Sequence, residues 1–407
     1  MNRNALGLVL LAATAACSGG GSSSGGGTVV AASAPTPTPT VSPSPAPTPT
    51  PTTAVATFTT LDLAALANYA APTLPAYYDA TVNGDDNTPP GNAIDNRIAT
   101  LGRVLFYDKR LSTTDTISCA SCHQQAIGFT DPRRFSQGVN GAAFTSAHAM
   151  RLGNARYYQP GTMFWDRRAA SVEAQASQPI VNPVEMGWDP GAGGVAALIT
   201  KMNGIAYYPE LFAFAFGDAT ISEARIQRAL AQFERAMVAT GSRWDTGYAA
   251  VFAPGAPNRN LGVDLANLTA QENRGRQLFF APPNAAGGGA GCSACHQAPT
   301  FALDQNSRSN GLDAGETIAF KAPSLKNVGL SGPYMHDGRF ATLAEVVEHY
   351  DNGIQIGPAL DNRLRAPGGA PLRLNLSAAD KAALVAFLLT LDETALTSDP
   401  KFSNPFR

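Results

Sequence analysis

The pentapeptides Cys119-Ala120-Ser121-Cys122-His123 and Cys292-Ser293-Ala294-Cys295-His296 decide how this chain of 407 residues is organised. Each follows a Gly-Arg-x-Leu-Phe block, Gly102 to Phe106 in the first case and Gly275 to Phe279 in the second. The interval from glycine to first cysteine is 17 residues both times, and the offset of 173 also carries Asp131 onto Asp304. One module, a helix followed by C-x-x-C-H, is therefore present twice. The motif attaches c-type haem: its two thiols add to the porphyrin vinyl groups, and the adjacent histidine is positioned to hold the iron on one face. A zinc site built from both cysteine pairs, or a redox-active C-x-x-C, would also use cysteines. Neither needs a histidine directly after each pair or matching helices upstream. The sequence thus predicts two covalent haems, one on Cys119 and Cys122 with His123 proximal, the other on Cys292 and Cys295 with His296 proximal.

Outward from the motifs, the fifth cysteine is Cys17. Arg3 and the apolar run Ala5 to Ala16 read as a signal sequence, too short to span a bilayer. Its end, Thr14-Ala15-Ala16-Cys17, is similar to a lipoprotein signal in which the cysteine is acylated; ordinary secretion with soluble release is the alternative, and both export the chain. Ser18 to Gly27 is almost only Gly and Ser, and Pro35 to Thr53 alternates Pro with small residues. Neither stretch has apolar content to fold around, so residues 18–57 are expected to form a disordered tether. The remainder divides by the repeat into an N-terminal haem domain, 58–255, and a C-terminal one, 256–407. With 29 Lys+Arg against 31 Asp+Glu the chain lacks the basic footprint of a nucleic-acid binder.

Within the body, Ile226, Leu230, Phe233 and Met237 follow a helical period. Thr269 with Glu272, and Thr342 with Glu345, read as capping boxes. Ser377 to Leu391 reads as a closing helix, and strand alternation is scarce. The expected fold class is all-α, with long loops.

The order of the blocks resembles the bacterial di-haem cytochrome c peroxidase superfamily, in its MauG-like and MbnH-like branch. The matching stretches are Leu101 to Ser112, Phe164 to Arg168, Glu173 to Gln175, Asn182 to Met186, Ala322 to Asn327 and Pro333 to Gly338. The resemblance implies two class-I cytochrome c-like domains about a shared interface. It implies that Trp165 relays charge between the haems, although a core aromatic is the plainer reading of a tryptophan. It implies that Glu185 is the carboxylate at the peroxide site, that Gln175 lines the same pocket, and that Pro179 sits over the open face of haem one. Backbone carbonyls of Ser331 and Pro333 are implied for a calcium ion, with His148 standing where the family has an Asn.

Two departures bear on the subtype. The loop Ser136 to Thr145 contains no histidine, where reductively activated relatives carry one that caps haem one; His148, just beyond it, is the alternative cap. Tyr350 stands fourteen residues after His336, where the classical peroxidases have a methionine and MauG a tyrosine. Leu343, Val346, Val347 and Tyr350 share one helical face, with His349 turned away. Tyr350 is therefore the expected distal ligand of haem two, with Met335 its rival. Phenolate favours higher oxidation states, whereas a thioether stabilises ferrous iron. The expectation is an exported, lipid-anchored periplasmic oxidoreductase that takes hydrogen peroxide at haem one and oxidises a protein partner through Trp165. The alternatives are a cytochrome c peroxidase fed by a small periplasmic cytochrome, and a non-catalytic di-haem electron carrier.

Overall fold

The computed structural model describes residues 53–159 and 161–407, so the signal, Cys17 and the tether as far as residue 52 lie outside the described residues. One boundary moves. The expected tether runs to residue 57, but Ala54–Phe58 is already a helix, capped by Thr53, with Val55 only 1% exposed. Val55 supplies the apolar side chain that the Pro/Thr stretch lacks, and its N–H donates to Glu210 Oε2 at 3.2 Å.

The body is helical, with one small antiparallel pair among the described residues, His296–Gln297 against Ala302–Leu303. Helix Asn96–Tyr107 starts at Asp95, whose carboxylate accepts the N–H groups of Arg97 and Ile98, and it packs on helix Glu223–Arg235. The expected periodic residues Ile226, Leu230, Phe233 and Met237 are all buried here. In the second module helix Ala270–Phe280 packs on helix Ala378–Leu389, and the Thr269/Glu272 and Thr342/Glu345 capping boxes both form.

The two helix pairs meet in the same way. A Cβ on Gly102 would overlap the carbonyl of Ala229, and one on Gly275 that of Ala383, with Phe233 and Phe387 next in contact. Glycine is required because the helix backbones touch there. This gives a physical reason for the glycine that opens each repeated block.

Two hydrophobic cores result, and they exchange segments. Tyr77, Tyr78 and Val82 belong to the second core, as do Trp244 and Tyr248 on helix Arg243–Val251. Leu396 and Phe402, from the chain's end, belong to the first. The boundary expected at 255/256 thus follows the haem motifs but not the packing, because the stacked Trp244–Tyr248 pair is buried against Phe301 of the second module.

Residues 148–167 are stitched to the second module. His148 N–H donates to the carbonyl of His336 at 2.8 Å, Arg151 donates to Ser331 Oγ at 2.8 Å, and Arg167 donates to the carbonyls of Ser307 and Phe320 at 2.7 and 2.9 Å. Trp165 is fixed by this stitching.

Candidate functional site

The second C-x-x-C-H opens into a cavity of about 560 Å³ whose wall includes Cys292, Cys295, His296, Tyr350, Met335 and Trp165. All four residues of the expected helical face, Leu343, Val346, Val347 and Tyr350, reach it. The α-helix ends at Glu348 and continues as a wider turn over His349–Gly353 that carries Tyr350 inward. His349 is turned away, with Nε2 at 3.1 Å from the carbonyl of Asn310.

Tyr350 and Met335 converge on one donor. The Asn310 amide lies 3.5 Å from Tyr350 Oη and 3.4 Å from Met335 Sδ. Burial pushes the Tyr350 phenol up, and the Asn310 hydrogen bond works against that rise. Asn310 carried no local signal in the sequence, because it lies in a loop 40 residues before Tyr350.

The residues fit a covalently attached haem. None of the four described motif cysteines is paired in a disulfide. Burial lowers His296 to about 4, so its imidazole is neutral, and its Nδ1 is buried without a hydrogen-bond partner among the described residues. A neutral imidazole in an apolar slot beside two thiols is the donor set that haem attachment uses.

The first motif is built differently around its histidine. His123 Nδ1 is 2.9 Å from the carbonyl of Phe129, which fixes the ring and leaves Nε2 free to hold an iron. Helix Gln178–Val181 begins with Pro179 at its second position, and Asn182 Oδ1 then accepts the N–H groups of Val184 and Glu185 at 2.8 and 3.2 Å. Met186 N–H returns to the carbonyl of Pro179 at 3.2 Å, so Pro179 and Glu185 are held on one turn.

Burial raises the Glu185 carboxyl above its ordinary value, opposed by Arg168. It lies within electrostatic range of both Cys119 and Cys122. Gln175 is half-buried on helix Val172–Ala176, and its amide makes no hydrogen bond to another described residue. A second carboxyl escaped the sequence reading: Glu234 is 7% exposed, raises the Cys119 thiol, and is itself pushed by burial to about 8.

In the wall of the second cavity, Trp165 Nε1 donates to the carbonyl of His148 at 2.8 Å, and its ring is 6.3 Å from that of His336. Both ring nitrogens of His148 are engaged. Nε2 is 3.2 Å from Thr130 Oγ1, and Nδ1 is 3.1 and 3.3 Å from the carbonyls of Arg133 and Arg134. His148 is therefore tied into the interface rather than directed at an iron.

The same place does not fit a calcium ion. His148 has no free ring nitrogen to offer, and the buried Arg151 guanidinium, a fixed positive charge, bonds Ser331.

The family model described as di-haem cytochrome c peroxidase matches residues 96–250 and 269–363. Methylamine utilization protein MauG of Methylorubrum extorquens is 31% identical over 323 residues, covering 74% of this chain and 80% of that protein. Cytochrome c551 peroxidase of Nitrosomonas europaea is 31% identical over 274 residues, covering 62% and 72%. A crystal structure of a MauG-like protein associated with microbial copper homeostasis superposes with a TM-score of 0.64 at 32% identity, covering 82% of this chain and 98% of the other.

Proposed function

The chain belongs to the di-haem cytochrome c peroxidase family, a haem peroxidase-type oxidoreductase with two c-type haems, and within that family we propose a MauG-like role: reaction with hydrogen peroxide and oxidation of a protein partner. The observation that carries the reading is that Tyr350 and Trp165 share the wall of one cavity with His296. When bound, the haems supply the iron that reduces peroxide and hold the oxidising equivalents it releases.

In this reading Glu185 takes the proton from the inner peroxide oxygen and returns it to the outer one. The raised carboxyl suits that exchange, because it holds a proton more readily than an exposed glutamate does. Gln175 orients peroxide by donating from its free amide, and Pro179 offers no ligand and keeps the face open. Tyr350 would hold the second haem through its phenolic oxygen, a donor that favours the oxidised state over the electron-accepting one. In the same reading Trp165, whose Nε1–H donates to the carbonyl of His148, relays charge between the two sites.

Export to the periplasm and a lipid anchor at Cys17 belong to the same proposal. Among the described residues no helix is long and apolar enough to cross a membrane.

The test is one equivalent of hydrogen peroxide added to the fully oxidised, haem-loaded protein. A long-lived change at both haems, with little turnover of a reduced small cytochrome, is the expected outcome. Fast turnover of that cytochrome would install the detoxifying peroxidase instead, and no spectral change would leave a di-haem electron carrier.

A further inference from the structure

Behind the wall of the Cys292–Cys295 cavity lies a cluster of aromatic rings that the reaction above does not use, of which Trp244, Tyr248 and Tyr77 are oxidisable and Phe279 and Phe301 only bridge them to the cavity. Phe279 lines the cavity and contacts Phe301 at 5.7 Å, and Phe301 meets Trp244 edge-on at 4.8 Å. Trp244 stacks on Tyr248 at 4.7 Å, and Tyr77 contacts Tyr248 at 5.0 Å and Trp244 at 6.2 Å. All five side chains are 1% exposed or less. Ordinary aromatic packing would explain the contacts. It does not explain the polar groups placed inside.

Two of these groups decide where an electron vacancy would rest. The Lys326 ammonium stands 4.7 Å from the Trp244 ring centre, and a cation there opposes a second positive charge on the indole. Tyr77 Oη donates to Asp245 Oδ1 at 2.8 Å, so this phenol can release its proton as it loses an electron. The carboxylate is held in place by Lys326 at 2.5 Å and by Ser242 N–H and Oγ–H at 3.0 and 2.6 Å. Tyr248 donates only to the carbonyl of Arg259, which is no proton acceptor of comparable strength. Tyr207 and Tyr208 also donate to a carboxylate, Asp108, but their ring contacts run to Phe58, Phe212 and Phe406 rather than to the cavity wall.

We propose that Tyr77 is a storage site for an oxidising equivalent, reached from the second haem site through Phe279, Phe301 and Trp244–Tyr248, with Asp245 as its proton acceptor. The step balances. Tyr77 gives one electron to an equivalent left by peroxide reduction, and its phenolic proton passes to Asp245 Oδ1. The products are a neutral tyrosyl radical and a neutral carboxylic acid, and the positive charge left by the departed electron rests on the Lys326 ammonium, which faces the same Asp245 Oδ1. One electron from an external reductant, ascorbate or a reduced cytochrome, restores the phenol as the proton returns from Asp245. Such a site draws oxidising power away from the haems when no partner protein is docked. The inference rests on the peroxide reaction proposed above.

The test uses full-length, haem-loaded protein, mixed with one equivalent of hydrogen peroxide, freeze-quenched and examined by electron paramagnetic resonance together with the visible spectrum. The expected result is a tyrosyl signal that narrows on ring deuteration of tyrosine, is lost in Tyr77→Phe and persists in Tyr208→Phe. Without a reductant, repeated peroxide additions should bleach the haems of Tyr77→Phe faster than those of the wild type. Should Tyr77→Phe fail to fold, fluorotyrosine at position 77 keeps the phenol and must add fluorine splitting to the signal. A haem spectral change without a tyrosyl signal, a signal that survives in folded Tyr77→Phe, or one without fluorine splitting overturns the inference and leaves the peroxide reaction standing. No haem spectral change overturns both.

Discussion

Gly275 lies flat against the carbonyl of Ala383, with no room for a Cβ between the two helices. Gly102 stands in the same relation to Ala229, so the repeated Gly-Arg-x-Leu-Phe block marks a helix crossing in each module. Gly275→Ala must push helix Ala270–Phe280 off helix Ala378–Leu389 and is expected to cost about 1–3 kcal/mol. Gly255→Ala, where nothing lies within 4 Å, serves as the neutral control. Thermal unfolding of the two variants checks this; equal melting temperatures would remove the crossing as the reason for the glycine.

Tyr350 and Met335 both reach the cavity, and both meet the Asn310 amide. If Tyr350 is the distal ligand, Tyr350→Phe removes an anionic oxygen donor from the second haem and changes its spectrum, while Met335→Leu leaves that spectrum as it was. The opposite pattern assigns the ligand to Met335.

The Glu185 carboxyl is raised by burial, and only its deprotonated form can take the first proton from peroxide. The peroxide reaction should therefore slow as pH falls through a value above the ordinary glutamate 4.5. Glu185→Gln should abolish that acid limb and lower the rate by about 10²–10⁴-fold. Stopped-flow traces across the acid range decide it; an unchanged limb in the variant assigns the proton transfer elsewhere.

The parts legible in the chain were periodic or repeated. The haem motifs, the capping boxes at Thr269 and Thr342, and the face formed by Leu343, Val346, Val347 and Tyr350 each follow from a local spacing. The glycine of the repeat was visible, but its partner carbonyl was not, since Ala383 lies 108 positions from Gly275. Asn310, Arg151 and the Tyr77–Asp245 pair escaped for the same reason. Each is a single polar side chain brought to its partner by loops, over 168 residues in the last case, and no period announces it. The exchange of Tyr77 and Phe402 between cores was equally hidden, because an apolar residue does not state which core it will enter.

Glu234 gives a stability test with a definite sign. Its carboxyl is raised from 4.5 to about 8 by burial, so folding favours the protonated form. That contribution is complete below the ordinary glutamate value and is lost as pH rises through about 8. Wild-type melting temperature should therefore fall across this window more steeply than that of Glu234→Gln, which stays neutral throughout. Parallel curves would show that the buried acid does not titrate with unfolding.

Trp165 separates the proposed relay from a packing role. Its ring lines the second cavity, and its Nε1–H bonds the carbonyl of His148, which is tied in turn to Thr130 and the backbone carbonyls of Arg133 and Arg134. A purely structural tryptophan would register its loss as lower stability or lower haem content. A relay would register it in the coupling of the two sites. Trp165→Phe keeps an aromatic ring but removes the readily oxidised indole and its hydrogen bond. The expected outcome is a folded protein with both haems attached that still consumes peroxide at the Glu185 side, while the second haem no longer changes on the same time scale. Optical stopped-flow, read beside the melting curve, measures both properties in one variant. If both haems still change together in Trp165→Phe, charge does not pass through the indole, and Trp165 is a packing residue of the interface.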